Sequence, residues 1–483
     1  GGKSFSFLDL LQKYYDKLLD FCFRQPKATL AVGLGCTVAG AIWLGHLPQR
    51  MMPAADRNQF AVEIYLPTGT AVEKTAQVAD SLEHLLRKDP RVVSIASFKG
   101  CASPRFQTAY APQIAGTNYA QFIVNTTEVE ATVELLDECT PKYSDYFPEA
   151  RVRFKQLSYS EAVYPIEVRL SGSSLDTLKR DADRLLALFH TMPELLHPHT
   201  DLEEPLAATN VALREDEAAR LGISNAGVET TLAMRYGAGV PVANVWEGDY
   251  NLRVVLKGEK ADSATNVDLM SEPISVGGGI ASVPLRQVAD LVPTWKDGQL
   301  VRRNGVYTIT VMADLQRGVN AMEATSAVLD KLKEVRLSPE TSLAFGGDLE
   351  DNNDKMPAIF SGLLVAIAVI FAVLIVHFKR VILATLIFVS MGLCLFGTAM
   401  GVWMQGVDFG VTSILGIVAL LGIIVRNGII MFDYAEELRK TEGLHVKEAI
   451  YYSAKRRMRP IFLTSAAASM GVIPMILGRS SLW

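Results

Sequence analysis

Apolar residues along this chain of 483 are not spread evenly but gather towards its two ends. Five stretches, approximately 28 to 48, 357 to 377, 381 to 404, 410 to 432 and 460 to 477, have the roughly 20 apolar residues a helix needs to cross a hydrocarbon core. The third and fourth hold no charge except Arg426, whereas a buried helix of a soluble protein is usually shorter and one-sided. Between the first and second stretches the period changes. FAVEIYLP alternates from Phe60, TGTAVEKTAQVADSLEHLL has helical spacing, RVVSIASF and NYAQFIVNT read as strands, ATVELLDECT as a helix and ARVRFKQL as a strand. The order is β-α-β-β-α-β, the ferredoxin-like arrangement. A second such unit opens with YPIEVRLSG and the helix SLDTLKRDADRLLALFH and closes with VYTITVMADL, NAMEATSAVLDKLKEV and TSLAFGG. An inserted region of strands separates its two parts.

The predicted fold class is therefore a membrane α-helical bundle plus α/β: five transmembrane helices and a large exported region of two sandwiches with an insertion. The boundaries are 1–27 for a cytoplasmic amphipathic segment, 28–48 for the first span and 49–160 for the first α/β subdomain. The second subdomain takes 161–206 with 301–350, the insertion 207–300, and the four remaining spans 357–483 with a cytoplasmic loop at 436–459. Short loops rich in Lys and Arg stay in the cytoplasm. Lys3, Lys13, Lys17, Arg24 and Lys27 precede the first span, Lys379 and Arg380 follow the second, and a basic run from Arg439 to Arg459 precedes the fifth. Gln405 to Asp408 has no basic residue and falls outside, which sends residues 49 to 356 outside as one domain. The first span reads as a retained anchor rather than a signal peptide, because 27 residues precede it and no small-residue cleavage site is apparent.

Composition narrows the function. Net charge is -5, and no basic patch with interleaved aromatics occurs, which argues against a nucleic-acid partner. Of the five cysteines, Cys22, Cys36 and Cys394 lie in or beside spans, leaving Cys101 and Cys139 as the only exported pair, too few for a disulfide framework. No zinc-ligand spacing, phosphate-binding loop, nucleophile elbow or dinucleotide fingerprint falls on a suitable element, and Gly277 to Gly279 is a hairpin-like run. No enzyme activity and no cofactor is expected.

The candidate chemistry lies in the spans. Arg426 sits several residues from the cytoplasmic end of the fourth, where a charge costs about 2.5 to 3.5 kcal/mol on insertion scales. It either faces a partner or wet cavity, or its long side chain snorkels to the interface. Asn427 either serves the same site or simply hydrogen-bonds a neighbouring helix. Arg457 and Thr464, seven apart, share one helix face, although the positive-inside rule alone also accounts for Arg457. No Asp or Glu lies within the five stretches, Asp408 and Asp433 being at or near their ends. The counter-charge to Arg426 should come from elsewhere.

The run GIIVRNGIIMFDYAEELRKTEGLHVKEAIYYSAKRRMRPIFLTSAAASMGVIPMILG resembles the fourth and fifth membrane helices in the second half of resistance-nodulation-division (RND) transporters. LPTGTAVEKTAQVADSLE, VALREDEAARLGISNAGVETTL and FGGDLEDNND extend the resemblance over essentially the whole chain. The resemblance implies a C-terminal half without its last helix, in a bacterial inner membrane, with residues 49–356 in the periplasm as porter and docking parts. It implies as partners an N-terminal half, two further copies in a homotrimer, a periplasmic adaptor and an outer-membrane channel. First halves of the family carry two aspartates at the positions of Arg426 and Asn427, and second halves usually Lys then Asn, so Arg426 departs from the pattern while keeping the charge. The family's proton relay then maps onto Arg426, Asn427, Arg457 and Thr464. Phe98, Phe106, Tyr110 and Phe122 fall in a region that borders the drug pocket in the family, although Tyr119 and Phe122 also fit strand-core positions. Met192, Met234, Met270, Met312 and Met322 are scattered rather than clustered, which favours small, mainly apolar compounds over metals. A metal, lipid or protein exporter of the same superfamily and a membrane-anchored ligand-binding receptor are the alternatives.

Overall fold

A computed structural model describes residues 7–50, 52–110, 116–261, 263–277, 279 and 281–478. Lys3 and the start of the predicted amphipathic segment, residues 111–115 of the aromatic loop, Gly278 and the end of the 357–483 region lie outside the described residues. The chain forms two compact units, one comprising the sequence up to Glu203 together with that from Gln299 onward, the other Glu204–Gly298.

In the first unit, β1 (Gln59–Tyr65), α3 (Val72–Leu86), β2 (Val92–Lys99), β3 (Tyr119–Thr126), α4 (Val129–Tyr143) and β4 (Arg151–Gln156) follow α1 (Phe7–Arg24) and α2 (Pro26–His46). The strands form an antiparallel sheet in the order β2-β3-β1-β4. Strand alternation sends Phe60, Val62, Ile64, Phe122 and Val124 to the helix side, where they pack against Val78, Leu82, Leu135 and Leu136. A second antiparallel sheet, β13 (Val301–Arg303), β14 (Val306–Leu315), β5 (Ile166–Gly172) and β15 (Ser342–Gly346), buries Val168, Leu170, Ile309 and Val311 beneath α5 (Leu175–His190) and α9 (Ala321–Leu332). β6 (Leu195–Thr200) shares the β14 edge with β13. Asp181 of α5 is fully buried and accepts from Ser338 N at 3.0 Å and Thr341 Oγ1 at 2.6 Å, which fixes the turn before β15.

The second unit holds β7 (Leu206–Leu213), α6 (Glu215–Arg220), α7 (Asn225–Tyr236), β8 (Val240–Glu247), β9 (Tyr250–Leu256), α8 (Asn266–Ser271), β10 (Pro273–Val276), β11 (Ala281–Pro284) and β12 (Ala289–Lys296). Its strands pair antiparallel as β7 with β12, β8 with β9 and β10 with β11. Ala218, Ile223, Val228, Ile274, Leu285 and Val288 form its small core.

Among the described residues, five helical segments are long and apolar enough to cross a membrane: Pro26–His46, Gly347–Phe378, Val381–Gln405, Val411–Thr441 and Val446–Leu477. They comprise α2, α10 (Gly347–Phe378), α11 (Val381–Met391) with α12 (Leu393–Gln405), α13 (Val411–Thr441) and α14 (Val446–Leu477). α2 crosses α12 at backbone contact: a Cβ on Gly40 would lie 2.4 Å from Phe396 N, and one on Gly392, where α11 meets α12, 2.7 Å from Thr37 Cγ2. Only glycine permits that approach.

The helices correct the predicted extents. The 436–459 segment is not a loop, because α13 continues to Thr441 and α14 starts at Val446, leaving a short turn at Gly443, whose φ is +66°. Asp433 thereby sits inside a helix rather than at its end. α10 likewise starts at Gly347, ten residues before the apolar stretch, and follows β15 without a loop. Hydropathy marks where a helix is greasy, not where its hydrogen bonding begins. α1 lies along the charged start of α14, with Tyr451 donating to Asp20 at 2.6 Å and Lys455 3.2 Å from Asp16.

Candidate functional site: the paired helices and the open sheet face

α13 and α14 run side by side and carry all four residues singled out for the relay. Asn427 Nδ2 donates to Ser465 Oγ at 3.3 Å, which brings the neighbour of Arg426 against the neighbour of Thr464. A second tie, from Ser453 Oγ to Met431 O at 2.6 Å, holds the helices together further along. Thr464 is exposed and spends its hydroxyl proton on Ile461 O, 3.0 Å away. Arg457 is half-buried, with its guanidinium carbon 4.2 Å from the ring centre of Tyr434 and its buried Nε without a hydrogen-bond partner among the described residues. Arg426 is exposed on α13 and makes no ion pair among the described residues. An arginine cannot lose its proton in this role, so it can respond to a charge change only by pairing and unpairing.

Two groups near this site escaped the sequence argument. Tyr434 falls between the predicted fourth stretch and the predicted loop, and its position under Arg457 depends on a residue 23 positions away. His377, near the end of α10, places Nε2 at 3.0 and 3.1 Å from the two carboxylate oxygens of Asp433. Arg380 continues that link to Glu436 at 3.1 Å.

The aromatic residues of the 98–122 region divide between the two faces of the first sheet. Phe122 is fully buried on the helix side between Val62 and the helices, so it is a core residue and is withdrawn from the substrate-contacting set. Phe98 is half-buried on the opposite face, beside Gln121. The loop after β2 folds down over that face rather than standing open. Tyr110 is 4% exposed, packs on Ala61 and Leu157 with Phe106 at 4.8 Å, and donates its hydroxyl to Glu63. Cys101 is exposed and Cys139 buried, and both are free thiols.

Beneath that loop lies a charge cluster that links the two sandwiches. Arg153 of β4 lies 3.1 Å from Glu63 of β1, 2.6 Å from Asp314 of β14 and 2.8 Å from Val163 O. Burial alone would raise the Glu63 carboxyl, but Arg153, Lys155 and the hydroxyls of Tyr110 and Tyr65 bring it down to about 2. Burial, aided by Arg153, lowers Lys155 to about 8. Burial and the nearby Arg151 push His199 down to about 3. A cavity of about 280 Å³ opens beside the cluster, lined by Arg50, Arg153, Lys155, Asp314, Asp348 and Asp351 among others. In the sequence Arg153 is one charged residue of the strand ARVRFKQL, with nothing to show that a second sandwich covers it.

Known proteins share this fold. Protein HelA of Legionella pneumophila is 23% identical over 487 residues, which takes in 96% of this chain and 45% of that protein. Two crystal forms, II and I, of a heavy metal efflux pump superpose with TM-scores of 0.79 and 0.81 at 22% identity, over 97% of this chain and 48% of that one. The chain thus spans about half the length of these relatives. The sequence pattern of the AcrB/AcrD/AcrF family matches residues 2–481. Nearly the full length is covered, and together with the paired helices and the two sandwiches it places the chain in the AcrB/AcrD/AcrF family of RND transporters, which with its apolar helices makes it an inner-membrane protein.

Proposed function

We propose that this chain is the second half of a proton-driven RND exporter, with residues 49–356 in the periplasm as ferredoxin-like porter subdomains and an inserted docking subdomain. It works with an N-terminal half, in a homotrimer joined to an adaptor and an outer-membrane channel. The observation that carries this is Arg426: a permanent cation, exposed on a long apolar helix, with no carboxylate paired to it among the described residues. Proton-driven transport needs a group in the membrane that changes charge, and carboxylates of the first half are the chemistry that would answer Arg426. When ionised they pair with it; when protonated they release it, and proton binding becomes helix movement. Arg457 and Thr464 line the wet path to the cytoplasm.

We assign small, mainly apolar organic compounds as cargo. The solved relatives are heavy metal pumps, so a divalent cation is the rival class. Against it, the buried Glu63 and the half-buried Asp314 are already paired with Arg153, so a metal would have to displace a guanidinium. Phe98 and Phe106, both half-buried, offer apolar contact at the loop above that cluster, with Tyr110 packed beneath Phe106.

One experiment tests both statements. In the complete transporter, Arg426→Ala should abolish export with expression and assembly unchanged, and Arg426→Lys should retain much of it. Normal export by the Ala variant would leave Arg426 as a snorkelling side chain and remove the coupling argument. Uptake assays run with apolar dyes and with zinc, copper and cobalt salts decide the cargo: protection against the salts alone reverses the assignment.

A further inference from the structure

Three arginines crowd the start of α14, and they are held in two different ways. Arg456 lies 3.3 Å from Glu442 and Arg459 pairs with Asp9 at 2.5 Å, so each has a carboxylate. Arg457 has none among the described residues and lies instead over the face of Tyr434. The same tyrosine accepts a hydrogen bond from Arg456 Nη1 on its hydroxyl at 3.0 Å. Tyr434 is itself fixed: it packs against Ala435, Leu438 and Ala449, and the Ser453 to Met431 bond pins the two helices beside it.

The distinction matters chemically. A carboxylate would occupy the N–H fork of a guanidinium, whereas an aromatic face attracts the cation through its plane and leaves the N–H edge free. The Nε of Arg457, buried and without a hydrogen-bond partner among the described residues, is claimed by no carboxylate. We propose that Tyr434 is the positioning residue for Arg457, holding its guanidinium by the ring face so that its N–H groups stay open to water or to a carboxylate brought by another segment. This rests on the proposed relay role of Arg457.

The test uses the complete transporter in proteoliposomes with an imposed pH gradient. Tyr434→Phe keeps the ring and should transport within about twofold of the parent, while Tyr434→Leu should lose about tenfold in maximal rate with substrate KM unchanged. Because Arg457 is then free to move, the pH of half-maximal transport should also shift by about half a unit in Tyr434→Leu. Should Tyr434→Leu fail to assemble, Tyr434→Met, flexible and without an aromatic face, is measured in its place and judged alike. Arg457→Ala separates the two levels. If it is inactive while Tyr434→Leu transports normally at every pH, or if Tyr434→Phe is as impaired as Tyr434→Leu, the positioning role is wrong and the relay stands. If Arg457→Ala transports normally, the relay itself falls and the positioning role with it.

Discussion

Two arginines show how differently the two parts of this molecule treat charge. Arg153 is 6% exposed and bound by carboxylates from both sandwiches, with a backbone carbonyl completing its set. Arg426 stands on the surface of an apolar helix with no ion pair among the described residues. The α/β part therefore closes its own electrostatics. The helical part leaves a cation to be met by water or by another segment, and an unmet charge in hydrocarbon is costly. Self-sufficiency in one region and incompleteness in the other is the expected pattern where the first is a rigid body and the second responds to an outside charge.

The largest effect is expected at Arg153. Arg153→Met leaves Glu63 fully buried without its cation and should destabilise the fold by about 3–5 kcal/mol in urea unfolding followed by far-ultraviolet circular dichroism. A loss below about 1 kcal/mol would show that the cluster is not closed upon itself and that water already enters it. A smaller effect comes from the histidine beside it. His199, which faces Arg151, Arg153 and His197, is held at about 3 in the folded state against an ordinary value of 6.5. The unfolded chain therefore binds the proton first, so this contribution is complete above pH 6.5 and is lost as pH falls toward 3. Between pH 7 and 5.5 the parent should lose about 1 kcal/mol that His199→Asn does not. Equal slopes in the two proteins would remove His199 from the cluster. The smallest effect is expected between the helices: Ser465→Ala breaks the Asn427 bond and should cost only about 0.6 kcal/mol, read in the thermal unfolding of the detergent-solubilised protein. A much larger loss would mean that α13 and α14 carry an essential polar lock after all.

The sequence made the strand and helix order readable where one side of an element is buried, as in FAVEIYLP, whose alternation sends Phe60 and Val62 to the core. It failed at β6, where LLHPHT has no alternation and Pro198 fits a strand paired on one side only. It also failed at the start of α14, because the charges from Lys447 to Arg459 look like a loop although they continue a helix. Of the site, the chemically unusual residue Arg426 was legible because a cation in an apolar run stands out. The Arg153 cluster was not, since Asp314 lies 161 positions away and each member looks like an ordinary surface charge alone. Tyr434 was hidden for the same reason.

α10 has a mechanical consequence. Its 32 residues follow β15 directly, and at 1.5 Å per residue it is about 48 Å long, with His377 held to Asp433 near its far end. Gly347 forms the junction at a φ of +68°, so close to Pro165 that a Cβ would lie 2.4 Å from its carbonyl oxygen. A strand that runs straight into a helix has no slack to absorb displacement. A tilt of about 5° about that glycine would carry the far end through about 4 Å, and a shift of α13 by that amount, passed through His377, would arrive at the second sheet as a small rotation. Pro357, which removes one backbone hydrogen bond within the helix, is the place where such a lever would bend first.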